Sequence, residues 1–301
     1  MELVEILQAL SRASGPTGRE EEAVSAAQRL LEPLVASTQI DKVGNLIGFL
    51  PSFKPEAKRI VLDAHLDEVC LVVTGWEDGF LQVASAFSGV DPRLLPASRV
   101  LVCARQPVYG VVTCLPPHLL SEEERETPFP MEKLRIDCGL TQEQAQTLVP
   151  VGTRVIAATE PFYLGQKKFC GKALDDRAGF AVILRVLQLL QGKQLDVDLA
   201  VVGSVQEEST ELGAQAAGFH LAPQEAIVID ATFGDTPDSE RDTTFPLGAG
   251  PTIGIGPALS RQMTRNLQAI AAREGIGYQD EVMEGSTGTN SMAFCVVGLG
   301  A

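Results

Sequence analysis

In the segment 59-RIVLDAHLDEV-69 an apolar run leads directly into ionisable residues, a pattern that indicates an α/β sheet with a site at a strand end. The run Ile60–Leu62 predicts a buried strand, and His65 and Asp67 follow at its carboxyl end. Open α/β sheets place their ligand sites at the carboxyl ends of their strands. An H-x-D spacing alone is common, so the interpretation of His65 depends on what lies at the other strand ends.

Three further acidic groups follow predicted strands at similar ends. They are Asp175-Asp176 after Phe169–Ala173, Glu207-Glu208 after Leu199–Val205, and Asp230 after Ile227–Ile229. An imidazole and several carboxylates at four such ends are typical of a hydrolytic metal site. Hydrolysis of an unactivated amide needs a strong nucleophile and a positive charge at the carbonyl oxygen, and two divalent ions about 3.5–4 Å apart supply both.

Each of these residues also has a structural interpretation. His65 suits a metal ligand whose other ring nitrogen faces Asp67, an arrangement that fixes the tautomer, but it could be a core histidine bonded to backbone. Asp176, and Asp175 with it, could cap the following helix. Glu207 and Glu208 could be exposed in a turn, or one could bind metal while the other faces substrate. Asp230 could cap the next turn.

The composition narrows the functional classes. The 301 residues are 45% hydrophobic, which is enough for a large core and predicts two domains. The net charge of −15 argues against nucleic-acid binding and fits either a field that attracts cations or acidic solvated surface. No apolar run reaches the roughly 18–20 residues of a membrane span. The opening MELVEILQALSRAS predicts an amphipathic helix and not a signal peptide.

The six cysteines have irregular spacing and form no C-x-x-C pair. They are at positions 70, 103, 114, 138, 170 and 295. Most have apolar neighbours, which predicts reduced, buried, structural thiols in a cytoplasmic protein and argues against a zinc–thiolate site.

The hydrophobic pattern changes twice along the chain. Periodic segments before residue 70 and after residue 158 predict an α/β domain. Its helices are expected at 2–10, 20–34, 178–190, 212–218 and 260–274, and its strands within 38–50 and at 60–64, 199–205, 226–230 and 278–283. Between these parts, short alternating runs separated by Gly, Pro and Asp predict an inserted small β-barrel or sandwich, with one acidic helix at 121–126.

The segments AHLDEV, GKALDDRAG, VQEE and VID, in this order and spacing, resemble the tetrahedral aminopeptidases. This family comprises glutamyl and deblocking aminopeptidases, which are co-catalytic metallopeptidases, and some members carry the name endoglucanase. The resemblance extends from SGPTGRE through VGNLIG and PPHLLSEEER to GSTGTNS, essentially the whole chain. It implies a mixed-sheet α/β/α domain of the phosphorylase/hydrolase-like type (residues 1–69 and 159–301) with an inserted small β-barrel domain (70–158).

The resemblance also implies roles by position. His65 and Asp230 would bind one ion, Asp175 would bridge two, and Glu208 would bind the second. Asp67 would orient His65, and Glu207 would be the general base for a metal-bridging water. The two divalent ions would be zinc or cobalt, and the substrates short peptides. The insert would mediate dimerisation, with dimers assembling into a homo-oligomeric dodecamer, and His118 would be a loop residue of the insert.

One expectation concerns the end of the sequence. The family has a further histidine ligand and a final strand beyond the part that matches GSTGTNS, and neither occurs before Ala301. This leaves open a truncated chain, a weakened second metal site, or an inactive, assembly-only subunit. A deacylase or glycoside hydrolase on the same site is a further alternative.

Overall fold

The first elements of the chain build a helical layer and one side of a mixed sheet. The computed structural model describes residues 1–87, 89–122, 125, 130–166, 168–283, 285 and 287–297. The first elements are α1 (Leu3–Arg12), α2 (Glu21–Leu31), β1 (Ser37–Ile40), β2 (Leu46–Leu50) and β3 (Arg59–His65). The strands expected within 38–50 form a hairpin: β1 pairs antiparallel with β2, and Gly44 in the turn has a φ of 112°, which favours glycine.

The central part of the chain closes into a six-stranded barrel. Its elements are β4 (Leu71–Glu77), β5 (Phe80–Ser85), β6 (Arg99–Val102), β7 (Val108–Thr113), β8 (Arg135–Asp137), α3 (Gln142–Leu148) and β9 (Arg154–Ala157). The strand order is β4-β5-β8-β7-β6-β9, with β9 pairing back to β4. Alternate residues such as Val73, Leu81 and Ile136 fill its interior, so the predicted β-barrel is confirmed. Residues 123, 124 and 126 of the predicted acidic helix lie outside the described residues.

The remaining elements return to the α/β pattern. They are β10 (Phe162–Leu164), β11 (Lys168–Cys170), α4 (Leu174–Leu190), β12 (Asp198–Ser204), α5 (Glu207–Thr210), α6 (Leu212–Leu221), β13 (Glu225–Val228), β14 (Thr252–Ile255), α7 (Arg261–Glu274), β15 (Gln279–Val282) and α8 (Ser291–Val296). Strands β14 and β15 pair in parallel as a separate two-stranded sheet.

The main sheet brings three strand ends to one edge. Its order is β1-β2-β12-β3-β13, and β3, β12 and β13 run parallel to one another. Ser204 at the end of β12 is in register with His65 at the end of β3. The residues that follow these strands therefore meet at one edge of the sheet, where open α/β folds place ligands.

Helices cover both faces of this sheet, which confirms the predicted α/β/α architecture. On β12, Val201 packs with the buried faces of α1, α2 and α4, which include Leu10, Leu31 and Phe180. The next residue, Val202, packs on the opposite face with residues of α6 and α8. This alternation is the two-residue period of a strand that is buried on both sides.

Two expectations differ from the structure. The strand predicted at 169–173 is shorter and pairs only with β10, outside the main sheet, so Asp175 does not follow a sheet strand. Of the six free cysteines, only Cys70 is buried, because residues such as Cys103 and Cys138 come just after barrel strands, where cover is incomplete. Among the described residues, no helix combines the length and apolar character that a bilayer crossing requires.

Candidate metal centre

Four of the predicted site residues converge at the carboxyl edge of the main sheet. His65, the last residue of β3, is only 2% exposed. Its Nε2 atom lies 3.2 Å from Oδ1 of Asp175, 3.8 Å from Oε2 of Glu207 and 3.9 Å from Oδ1 of Asp230. Residues from positions 65 to 230 thus surround one imidazole nitrogen.

Three of these side chains have the spacing of a cation site. One ligand atom from each of His65, Asp175 and Asp230 lies within 4.8 Å of the other two. Nitrogen and oxygen ligands bind zinc-like ions at about 2.0–2.2 Å, so two ligands of one ion lie at most about 4.4 Å apart. The distances of 3.2 Å and 3.9 Å from Nε2 of His65 to Asp175 and Asp230 are within that limit. The mixture of imidazole and carboxylate also suits a divalent transition metal. The side chains present therefore fit a divalent ion.

Asp67 is fully buried and makes two sets of contacts. Its Oδ1 atom lies 3.4 Å from Nδ1 of His65, on the ring side opposite the converging carboxylates. Its two oxygens also accept the backbone N–H groups of Glu207 at 3.0 Å and Glu208 at 3.1 Å. The contact of Asp67 with His65 was predicted, but its bonds to the backbone of Glu207 and Glu208 were not. Asp67 thus holds the imidazole and the start of α5 together.

Glu207 and Glu208 come shortly after β12, as predicted, and they open the short helix α5. Gln206 before them has a left-handed φ of 60°, which turns the chain out of β12. The first N–H groups of a helix have no partner within it, so their bonds to the carboxylate of Asp67 stabilise this helix start. Both glutamates line one cavity with Asp175 and Asp230. They are therefore not the exposed turn residues of the alternative interpretation.

The two adjacent aspartates at the start of α4 have different environments. Ala173 has a left-handed φ of 53°, the Asp175–Asp176 peptide bond is cis, and regular helix begins after Asp176. Oδ1 of Asp176 accepts the N–H of Gly179 at 3.0 Å, as the capping alternative expected. Asp175 instead extends towards His65. The pair thus divides between a helix cap and a candidate ligand.

Asp230 follows β13 by two residues. The N–H of Ile229 donates to the carbonyl of Asp63 on β3, which extends the pairing of the two strands to this point. Oδ1 of Asp230 accepts the N–H of Ala231 at 2.8 Å and is the same oxygen that approaches His65. Both interpretations of Asp230 therefore apply, since it caps its turn and also faces the imidazole.

Burial, together with neighbouring acidic groups, shifts most of these pKa values upward. Burial raises the pKa of Glu207 to about 8, of Glu208 to about 7 and of Asp230 to about 6, and neighbouring carboxylates add to each shift. Burial likewise raises the pKa of Asp176 well above its usual range. These shifts have the sign expected where several carboxylates share a site that a cation would neutralise.

The pKa values of His65 and Asp175 shift in the direction opposite to the one that burial alone would give. Burial lowers the pKa of His65, but the contacts with Asp175 and Asp67 outweigh it and raise the pKa well above its usual value. The same contact with His65 holds the pKa of Asp175 below its usual range. His65 and Asp175 therefore form a charge-assisted pair at the centre of the cluster.

A cavity of about 910 Å³ opens beside the acidic cluster. Apolar side chains, among them Phe233, Leu247 and Met283, form much of its wall, while Asp175 and Asp230 stand at one side. This combination is typical of a ligand site, in which a few polar groups fix orientation within an apolar enclosure.

A buried contact beneath the cluster was not predicted. Nδ2 of Asn290 donates to Oδ2 of Asp63 at 2.9 Å and to Oγ of Ser204 at 2.8 Å, and all three residues are buried. These bonds join the start of α8 to β3 and β12. Asn290 lies in the GSTGTNS segment, which carries the family resemblance. The other histidines, His118 and His220, are both exposed.

Comparison with known proteins identifies the family. The family model described as M42 glutamyl aminopeptidase matches residues 44–301. The lysyl aminopeptidase of Pyrococcus furiosus is 28% identical over 293 residues, which cover 95% of this chain and 83% of that protein.

Two solved structures have the same fold over nearly the whole chain. An aminopeptidase from the archaeon Desulfurococcus kamchatkensis has a TM-score of 0.88 at 28% identity, covering 98% of this chain and 83% of that one. The Pyrococcus horikoshii TET1 peptidase, which can assemble into a tetrahedron or a large octahedral shell, has a TM-score of 0.83 at 29% identity, covering 96% and 87%. The chain therefore belongs to the M42 glutamyl aminopeptidase family, and its enzyme class is aminopeptidase.

Proposed function

We propose that this protein is a metal-dependent aminopeptidase that removes amino-terminal residues from short peptides. The observation that carries the proposal is the approach of His65, Asp175 and Asp230 to within 4.8 Å of one another, with Glu207 beside them. A carboxylate cluster around a buried imidazole is costly without a cation, because like charges repel at short range.

The chain offers donors for two divalent ions, zinc or cobalt by ligand type. His65 and Asp230 would hold one ion, Glu208 would hold the other, and Asp175 would be shared between them. Bound ions of this kind polarise a carbonyl and lower the pKa of water. Asp67 keeps His65 in position from the opposite side of the ring.

Glu207 is the proposed general base. Its side chain is partly buried and faces the cluster. Its backbone N–H donates to Asp67, which fixes the position of the Glu207 backbone. In this role it accepts a proton from the attacking water and then donates it to the leaving amine. The peptide's free amine, a cation, would lie near the acidic cluster, and the adjoining side chain would enter the apolar cavity.

The same proposal covers the setting of the enzyme. Six free thiols support a reducing compartment, the cytoplasm. The insert, residues 70–158, exposes large apolar side chains such as Leu94, Tyr109 and Leu119, which support a role in dimerisation and in a larger homo-oligomer. Sedimentation of the purified chain tests this part, and a monomer at micromolar concentration would contradict it.

The decisive experiment compares His65→Ala with His220→Ala. Each metal-stripped protein is assayed with aminoacyl-anilides before and after addition of Zn²⁺ or Co²⁺, with cellulose oligomers as the alternative substrate. We expect metal-dependent anilide hydrolysis by the wild type and by His220→Ala, and none by His65→Ala. A folded wild type that stays inactive with metal would favour the assembly-only alternative, and cleavage of cellulose oligomers alone would defeat the proposal.

A further inference from the structure

A buried cationic network lies directly behind the candidate metal centre. Arg177 is 1% exposed, and its neighbours Lys172 and Glu68 have side chains that are 9% and 5% exposed. Oε1 of Glu68 accepts from Nζ of Lys172 at 2.8 Å and from Nη2 of Arg177 at 3.1 Å. Two cations and one anion leave this buried network with a positive charge beside the acidic cluster.

Arg177 joins the two turns that carry the candidate ligands. It lies two residues after Asp175, and its Nε atom donates to the carbonyl of Leu66 at 2.9 Å. Leu66 is the residue between His65 and Asp67. The guanidinium therefore fixes the distance between the turn that carries Asp175 and the turn that carries His65.

The other donors of the network hold the end of α1. Nη1 of Arg177 donates to the carbonyls of Leu10 at 2.8 Å and Ala13 at 2.6 Å, and Lys172 also donates to Ala13. Carbonyls at a helix end lack partners within the helix, so these bonds satisfy them. The bond from Nε of Arg177 to Leu66 does not contribute to capping α1, because its acceptor lies between His65 and Asp67.

Gly15 in the SGPTGRE segment makes room for this arrangement. A Cβ at this position would lie 2.6 Å from Nη2 of Arg177 and 2.5 Å from Cβ of Ala23. The N–H of Gly15 also donates to Oε1 of Glu68 at 3.1 Å. The glycine thus lets the backbone approach the guanidinium and adds a donor to Glu68.

We infer that Arg177 is a positioning residue: through Leu66 and Glu68 it sets the His65–Asp67 turn against the Asp175 turn, and so determines how tightly the chain binds divalent ions. The inference rests on the proposed function. Asp67 transmits the same constraint to α5, since it holds the N–H groups of Glu207 and Glu208. Loss of the fork geometry of Arg177 should therefore loosen both the ligand set and the start of α5.

Arg177→Lys tests the inference, because lysine keeps the charge but cannot reproduce the planar fork. The matched control is Arg185→Lys on the exposed side of the same helix, where Nη1 of Arg185 donates to Oε1 of Gln188 at 2.9 Å. Co²⁺ affinity of the full chain is measured by titration calorimetry. We expect Arg177→Lys to bind about 10–100-fold more weakly, the range for loss of groups that support metal ligands, and the control to bind within twofold of the wild type.

Hydrogen exchange of the metal-free protein provides a readout that does not depend on activity. The Glu207 and Glu208 amides should lose protection in Arg177→Lys and keep it in the control. If Arg177→Lys does not fold, as judged by circular dichroism, Glu68→Gln replaces it, with an expected loss of about 10-fold in Co²⁺ affinity.

A folded variant with wild-type Co²⁺ affinity and wild-type amide protection would overturn the inference, even if its unfolding midpoint fell, since that result would assign the network to stability alone. A wild-type chain that neither binds Co²⁺ nor cleaves peptides would instead overturn the proposed function. The exchange of the Glu207 and Glu208 amides would still decide whether Arg177 has a positioning role.

Discussion

The barrel and the carboxyl edge of the main sheet are both buried, but they bury opposite kinds of side chain. The barrel interior is built from aliphatic residues such as Leu81 and Val112, and its charged groups lie outside, as in the Arg135–Glu77 pair. The sheet edge buries His65, Asp67 and Asp176, and Nδ1 of His65 lies 3.4 Å from Oδ1 of Asp67. An apolar core gains stability from every residue, whereas the sheet edge gives up stability to hold charged groups in place.

The two regions therefore contribute differently: the barrel to the stability of the fold, and the sheet edge to the reaction. In the barrel a substitution should change stability without changing the reaction, because the buried core of the barrel is a hydrophobic cluster separate from the core beneath the main sheet. At the sheet edge a substitution should change the reaction, and removal of a carboxylate can even stabilise the metal-free protein.

Glu207→Gln should lower kcat/KM by about 10²–10⁴-fold, the usual contribution of a general acid–base group. Steady-state hydrolysis of an aminoacyl-anilide at saturating metal measures the loss. The metal content should remain that of the wild type, because Glu207 is proposed as a base and not as a ligand.

Glu143→Gln is the matched control, since Glu143 is exposed in the first turn of α3. It should have wild-type kinetics. A Glu207→Gln enzyme with more than a tenth of wild-type kcat/KM would remove Glu207 from the role of base.

Leu81→Ala should destabilise the barrel by about 2–5 kcal/mol, because it leaves a cavity in a fully buried position. Denaturant unfolding measures the free energy, with Leu189→Ala as the control because Leu189 is 57% exposed and lies outside the insert. Below its unfolding transition the Leu81→Ala protein should have wild-type kcat/KM. A change in kcat without loss of stability would break the separation of the two regions.

The metal-free protein should lose stability as pH rises from 6 to 8.5. A carboxyl whose folded pKa is raised contributes fully below its ordinary value of 4.5 and loses that contribution as pH passes its folded pKa, about 8 for Glu207 and about 7 for Glu208. His65, with its raised pKa, has the same sign. Asp175 does not vary over this range, since its pKa is lowered.

Unfolding midpoints in a chelating buffer at the two pH values measure this effect. Glu207→Gln should remove part of the loss, on the order of 1 kcal/mol after screening by solvent, and a divalent ion should reverse most of it. Equal or greater stability at pH 8.5 without metal would show that the carboxylates are not crowded.

Glu77→Gln should have the smallest effect. It breaks the exposed ion pair with Arg135 at 2.8 Å, and pairs of this kind contribute little because solvent screens them. The unfolding midpoint and kcat/KM should both match those of the wild type. A large drop in the midpoint would mean that the barrel also depends on charge.

The sequence predicts the architecture well wherever hydrophobic period is strong. The apolar runs of β3 and β12 locate two central strands, and the alternating runs between residues 70 and 158 reveal the barrel. The pattern fails at β11, because a short segment such as Lys168–Cys170 has the same composition whether it joins the main sheet or a separate pair. It also cannot assign cover at strand ends, so the burial of Cys103 and Cys138 was overestimated.

At the site, residue type and strand ends indicated His65 and Asp230, and the family resemblance chose Asp175 over Asp176. The structure brings these three side chains together. Hydrogen bonds from side chains to backbone groups could not be predicted from the sequence. The capping of α5 by Asp67 and the bond from Arg177 to Leu66 depend on which N–H or carbonyl lies nearby, and no side-chain pattern encodes that. Arg177 lies in the GKALDDRAG segment, but its hydrogen bond to Leu66 can be found only from the three-dimensional structure.

Anomalous diffraction from crystals grown with Co²⁺ tests the central claim most directly. We expect a strong peak within bonding distance of Nε2 of His65 and of carboxylate oxygens of Asp175 and Asp230, and a second peak that Asp175 and Glu208 share. Data from an enzyme confirmed to be active, with no peak between the imidazole and these carboxylates, would contradict it.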